Sequence, residues 1–72
     1  MTVLELCSFI RNPKHQEVIL HVSESVDDEI VFKDSAYWAM CSDFANCEVF
    51  DFSPVNYNYG TVIDIHIIRE GL

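Results

Sequence analysis

Basic residues are what this chain has least of: Arg11, Lys14, Lys33 and Arg69 stand against twelve Asp and Glu in 72 residues, a formal charge of −8. Affinity for a phosphate backbone is built from Lys and Arg that release counterions. Direct nucleic-acid binding is therefore disfavoured, and a polybasic membrane patch is excluded. Glycine and proline number two each, which rules out collagen-like, linker and low-complexity chains. The three cysteines, Cys7, Cys41 and Cys47, are too few and too odd in number for a secreted disulfide scaffold. No signal-peptide pattern is visible, since the apolar start over 3–10 is interrupted by Glu5 and lacks a basic region. The longest apolar stretch, 62–68, contains Asp64 and His66 and is far short of a membrane span. A reducing, cytoplasmic setting is expected.

What the chain does have is material for a core. Leu, Ile, Val and Phe make up 24 of the 72 residues, whereas a disordered acidic tail carries under about 20%. One domain over residues 1–72 is the count that fits this length. So small a core has little hydrophobic reserve and no evident staple, which makes self-association one of the expectations.

Residues 2–10, dense in β-branched and aromatic side chains, have the length and composition of a strand. Arg11-Asn12-Pro13-Lys14 reads as a turn, because proline fixes its φ and biases Asn12 away from helix. Residues 17–23 form the returning strand, with Val18, Leu20 and Val22 on one face. A four-residue loop then sets Cys7 opposite Val18 and Leu4 opposite His21. Residues 25–34 are open between a helix N-terminus and a hairpin tip. The run Ile30-Val31-Phe32 forms helix poorly, which favours a strand over 29–33. Asp34 or Ser35 next caps a helix to about residue 45, with Tyr37, Met40, Cys41 and Phe44 at helical spacing and Asn46 as C-cap. Burial is the expected fate of Trp38, the single tryptophan. Residues 47–53 are a strand with Phe50 and Phe52 on one face. In 61–69, Ile63, Ile65 and Ile67 alternate with Asp64 and His66, the clearest strand of the chain. The predicted fold is α+β: a small antiparallel sheet of about five strands, β-β-β-α-β-β, with one helix on one face. The alternative is a small five-stranded β-barrel.

Residues 53–60 lie between two strands and exceed the length a hairpin needs. Asn56, Tyr57, Asn58 and Tyr59 combine large amphipathic rings with adaptable amides, as recognition loops do, and Gly60 is able to take φ > 0. The plainer alternative is a turn whose tyrosines fold over the sheet edge. A second candidate is acidic. Glu24, Asp27, Asp28, Glu29 and Asp34 focus negative potential without matching any calcium loop. Asp64 and His66 share a strand face that Asp51 and His21 are placed to join, a grouping able to orient a base or hold a metal. No nucleophile accompanies them, and neither HExxH nor CxxC spacing occurs. Ordinary polar surface is the preferred reading, with no catalytic residue, metal or cofactor assigned.

The expectation is a non-enzymatic acidic protein-binding domain. As an inhibitor, immunity or mobile-element protein would, it occupies a basic surface of a nucleic-acid-handling partner, its carboxylates standing where phosphates would. Asp27, Asp28 and Glu29 supply charge, and Asn56, Tyr57, Asn58 and Tyr59 supply short-range specificity. The alternative is a homo-oligomeric structural or adaptor subunit with strands paired between copies.

Overall fold

The computed structural model describes residues 1–23 and 28–68. Its elements are helix α1 (Val3–Ser8), a 3-10 turn η1 (Pro13–His15), β1 (Glu17–Ser23), β2 (Asp28–Ser35), α2 (Ala36–Met40), β3 (Glu48–Tyr57) and β4 (Gly60–Ile68). The α+β class is as expected, but the sheet has four strands among the described residues rather than five. Their order is β2-β1-β4-β3, so β2 and β3 are edges and the sheet is open, which excludes the barrel. Two antiparallel hairpins, β1/β2 and β3/β4, meet along a parallel seam that sets Val18 beside Ile63, Leu20 beside Ile65 and Val22 beside Ile67. An all-antiparallel sheet is thereby corrected to a mixed one.

The missing strand is the first segment, which is a helix. Thr2 and Glu5 form a capping box: the Glu5 N–H donates to Thr2 Oγ1 at 3.2 Å and the Thr2 N–H donates to Glu5 Oε1 at 3.0 Å. Two further N–H groups of the first turn, on Val3 and Leu4, donate to the carbonyls of Cys47 and Ala45 at 3.0 and 2.8 Å. Donors that a helix start leaves unpaired are thus met by the chain ahead of β3. Six residues are too few for a helix that stands alone, so α1 depends on burying Val3, Leu6 and Cys7. That i, i+3, i+4 spacing is helical, and β1 consequently pairs with β2 and β4, never with residues 2–10. The expected contacts of Cys7 with Val18 and of Leu4 with His21 across a ladder do not exist.

Elsewhere the elements follow the sequence more closely. Ser35 caps α2, its Oγ accepting from the Trp38 N–H at 3.4 Å. The helix nonetheless stops at Met40 with Cys41 as its C-cap, and residues 41–47 return as turns. Because it is one turn long, its buried side chains are Ala36 and Ala39, not Tyr37 or Cys41. Trp38 is 57% exposed, contrary to expectation. The single core lies between the two helices and one face of the sheet: Val3, Leu6 and Cys7 pack with Val18, Leu20, Val22, Ala36, Ala39, Cys47, Ile65 and Ile67, with Met40 and Phe44 closing its side.

Candidate functional site

Strand β3 is longer than expected. It runs through Pro54 to Tyr57 and turns back in two residues, Asn58 and Tyr59, before Gly60 opens β4. Pro54 is accommodated because β3 is an edge strand, where one N–H in two has no ladder partner to lose. Asn58 and Tyr59 keep negative φ, and the turn is relieved at Gly60, whose φ is +144°. The eight-residue loop of the sequence reading is therefore a strand end and a tight turn. Its tyrosines do stand out: Tyr57 and Tyr59 stack at 5.5 Å between ring centroids, and both are exposed. Thr61 Oγ1 donates to Asn56 Oδ1 at 2.8 Å, bracing the base of the tip.

Of the ten residues of β3, only Val49 and Val55 are even half-buried. Phe50 and Phe52 are 55% and 49% exposed. They were expected on one face, but a bulge between Val49 and Asp51 separates them. Phe50 turns toward His66, at 5.9 Å between rings, while Phe52 pairs with Ile65 on the helix side. The aromatic exposure of β3 is the feature that sequence reasoning missed. Pro54 was the available signal, since proline inside a strand pattern marks an edge.

The acidic candidates lie elsewhere. Asp27 falls outside the described residues, Asp28 opens β2, and Glu29 is exposed opposite Val22. β1 runs parallel to β4, so this end of the sheet carries the start of β3 with Glu48, and the tyrosine turn occupies the other end. About eight residues of strand separate them, on the order of 25–30 Å. Asp28 and Glu29 therefore lie at the end of the sheet away from the tyrosines, while Asp34, opposite Val18, lies at the tyrosine end.

Cations collect at the tyrosine end. Arg11, Lys14 and Lys33, the Lys and Arg of the described residues, border two adjoining grooves around η1, of about 440 and 250 Å³. Lys14 Nζ sits 5.0 Å from the centre of the Tyr37 ring. Gln16 ties η1 to the hairpin, its amide donating to the Thr61 carbonyl at 2.9 Å.

The histidine grouping does assemble. Across the parallel seam His21 stacks on His66, 4.7 Å between centroids and 16° from coplanar. His21 Nε2 lies 3.5 Å from Asp64 Oδ1, both atoms being closed to solvent, and Asp51 stands opposite His66. Ser53 stands opposite Asp64 in the β3/β4 register, and among the described residues no three His, Cys, Asp or Glu are arranged to hold a metal. Cys7 is buried, which pushes its thiol up to about 11. Burial likewise raises Cys47, while Cys41 is exposed. Among the described residues no helix is long and apolar enough to cross a membrane.

No protein family, curated protein or solved structure matches this chain.

Proposed function

We propose that the chain is a non-enzymatic protein-binding domain that lays β3 and the β3–β4 turn against a basic surface of a protein that handles nucleic acid, and thereby inhibits it. One observation carries this: β3 is exposed along nearly its whole length although it bears Phe50, Phe52 and Tyr57. A soluble domain keeps so much aromatic surface in water when a partner takes it up. Glu48 and Asp51 lie along the same strand, so an Arg or Lys of the partner has a ring for its stem and a carboxylate for its head. The net charge of −8 steers such a partner inward and repels nucleic acid itself. Asn56, Tyr57, Asn58 and Tyr59 fix the orientation at one end of the strip, and Glu29 and its acidic neighbours contribute at the other. A partner that touches both ends follows the long axis of the hairpin.

The test is affinity capture from the native cell extract at low and at high salt, with the captured proteins identified and a Tyr57→Ala/Tyr59→Ala variant alongside. A basic nucleic-acid-handling protein that is retained at low salt, released at high salt and lost with the variant supports the proposal. Capture unaffected by the variant, or of no such protein, overturns it.

A further inference from the structure

The helices cover one face of the sheet, and among the described residues no element packs on the other. Along that open face lie Ile19, His21 and Lys33 with Ile30 on the β1/β2 hairpin, and Asp64, His66 and Ile68 with Phe50 on the β3/β4 hairpin. Its centre is already dry: Ile19 is 4% exposed, His21 8% and Val62 1%. Around that centre stand three large apolar side chains in water, Ile30 at 57%, Phe50 at 55% and Ile68 at 37%. They come from β2, β3 and β4, so the apolar rim spans the sheet from edge to edge.

The charge of the face differs from that of the molecule. Among the described side chains four carboxylates belong to it, each with a positive or imidazole neighbour, and Asp28 takes a fifth position on the face, opposite Ser23. Glu17 lies 4.0 Å from Lys33, Glu48 2.7 Å from the Met1 ammonium and Asp64 3.5 Å from His21, while Asp51 stands opposite His66. In a chain with three acids for every base, this is a surface that an equally acidic molecule approaches without an unbalanced field. Among the described residues of this face an anionic lipid surface finds no cation patch, since Lys33 faces Glu17.

We infer that this open face is where two copies of the chain meet, sheet against sheet, with the stacked His21 and His66 rings near the two-fold axis and Ile30, Phe50 and Ile68 buried around them. The size is adequate. Four strands at about 4.8 Å and eight residues at about 3.3 Å outline roughly 500 Å² before side-chain relief is added. Two such faces remove on the order of 1,000 Å² or more, the threshold for a specific interface. An isologous pair of this kind closes on itself and needs no free strand edge. The outer edge of β3 beyond Val49 and the Asn58-Tyr59 turn stay accessible, but Phe50, Glu48 and Asp51 are claimed by both contacts, so the dimer competes with the partner proposed above at that end of β3; Tyr57→Ala/Tyr59→Ala, expected to abolish partner capture and spare the dimer, tells the two failures apart.

Sedimentation velocity on the full chain from about 1 to about 500 µM tests this. The expected result is a mass that rises with concentration from 8.3 kDa to twice that value. Ile30→Glu and Phe50→Glu place like charges on the face at already exposed positions, and each is expected to weaken the dimer at least tenfold. Trp38→Glu, on α2, and Tyr57→Ala/Tyr59→Ala are expected to leave it intact. A chain that stays at single mass throughout, or a dimer that survives both glutamates, overturns the inference. An independent measurement needs no variant. The methyl signals of Ile30 and Ile68 should lose their broadening by a soluble paramagnetic probe as concentration rises, while Leu4, exposed on α1, keeps its own. Protection of Leu4 instead of the isoleucines places the contact on the helix side and equally overturns the proposal.

Discussion

Leu20 and Ile19 are adjacent in β1, similar in size and both almost inaccessible to water, yet they point to opposite sides of the sheet. Leu20 lies between Phe32 and Ile65 beneath the helices; Ile19 lies between Lys33 and Asp64 on the open face. Leu20→Ala leaves an enclosed void, and buried leucines lose about 3–5 kcal/mol in that situation, transfer and cavity terms together. Ile19→Ala leaves a notch that opens to solvent, so the cavity term largely vanishes and about 1–2 kcal/mol remains. A domain of 72 residues has about 4–11 kcal/mol in all, on the order of 0.05–0.15 per residue. Leu20→Ala therefore removes a large part of the stability and Ile19→Ala a minor one. With a urea m-value of about 1 kcal/mol/M, the midpoints fall by roughly 3–5 M and 1–2 M. The assay is urea unfolding followed by tryptophan fluorescence and circular dichroism, at a dilution where sedimentation gives single-chain mass. An Ile19→Ala loss equal to that of Leu20→Ala at such dilution would refute the assignment of the helices to the Leu20 face.

Thr2→Ala removes one half of the capping box and should cost about 1 kcal/mol in thermal or urea unfolding; a strand in this position would show no such loss. Hydrogen bonds from the Thr2 N–H and then the Thr2 side chain hold the Glu5 carboxyl below its ordinary 4.5. A carboxyl lowered on folding stabilises above its unfolded pKa, so the contribution of Glu5 is complete above about pH 4.5 and fades on acidification, a slope that Glu5→Gln should flatten in a pH series. At pH 8 a thiol reagent should modify exposed Cys41 quickly, with Cys7, near 11, and Cys47 reacting only at the rate of unfolding; rapid reaction at all three sites would contradict the burial described. Gly60→Ala meets no atom within 4 Å but inherits φ +144°, so it should destabilise by on the order of 1–3 kcal/mol through backbone strain alone.

Local signals were readable and long-range ones were not. Alternation in β1 and β4, the β-branched run of β2, the Ser35 cap and the glycine at position 60 are each decided by a residue and its near neighbours. Residues 2–10 misled because Val3, Phe9 and Ile10 favour a strand, whereas the decisive pair is Thr2 with Glu5, read there as an interruption of an apolar run. Carbonyls of residues 45 and 47 complete that helix start, and no window of sequence around α1 contains them. For the candidate site, composition and spacing single out the tyrosines, but they are equally compatible with exposed rings and with rings folded over the sheet edge. The separation of Asp28 and Glu29 from the tyrosine turn is not legible there, because it depends on β1 lying parallel to β4. The grouping of His21 with Asp64 and His66 was anticipated as chemistry, and the same parallel pairing fixed its geometry.

That parallel seam also governs how the molecule is made. Each hairpin joins strands that neighbour one another in the chain, and each is able to begin forming during synthesis. The seam joins residues about 45 positions apart, as with Val18 and Ile63, and loop closure of that length is slow relative to local pairing. On the ribosome β1 therefore waits beside β2 with its inner edge bare until β3 and β4 have cleared the exit tunnel. During that interval Val18, Leu20 and Val22 have neither their sheet neighbour nor a complete helix layer above them. On ribosomes stalled behind a C-terminal linker long enough to span the tunnel, chains cut before residue 63 should then be the species that chaperones retain, while those carrying residues 1–68 ahead of the linker have the whole sheet available to them.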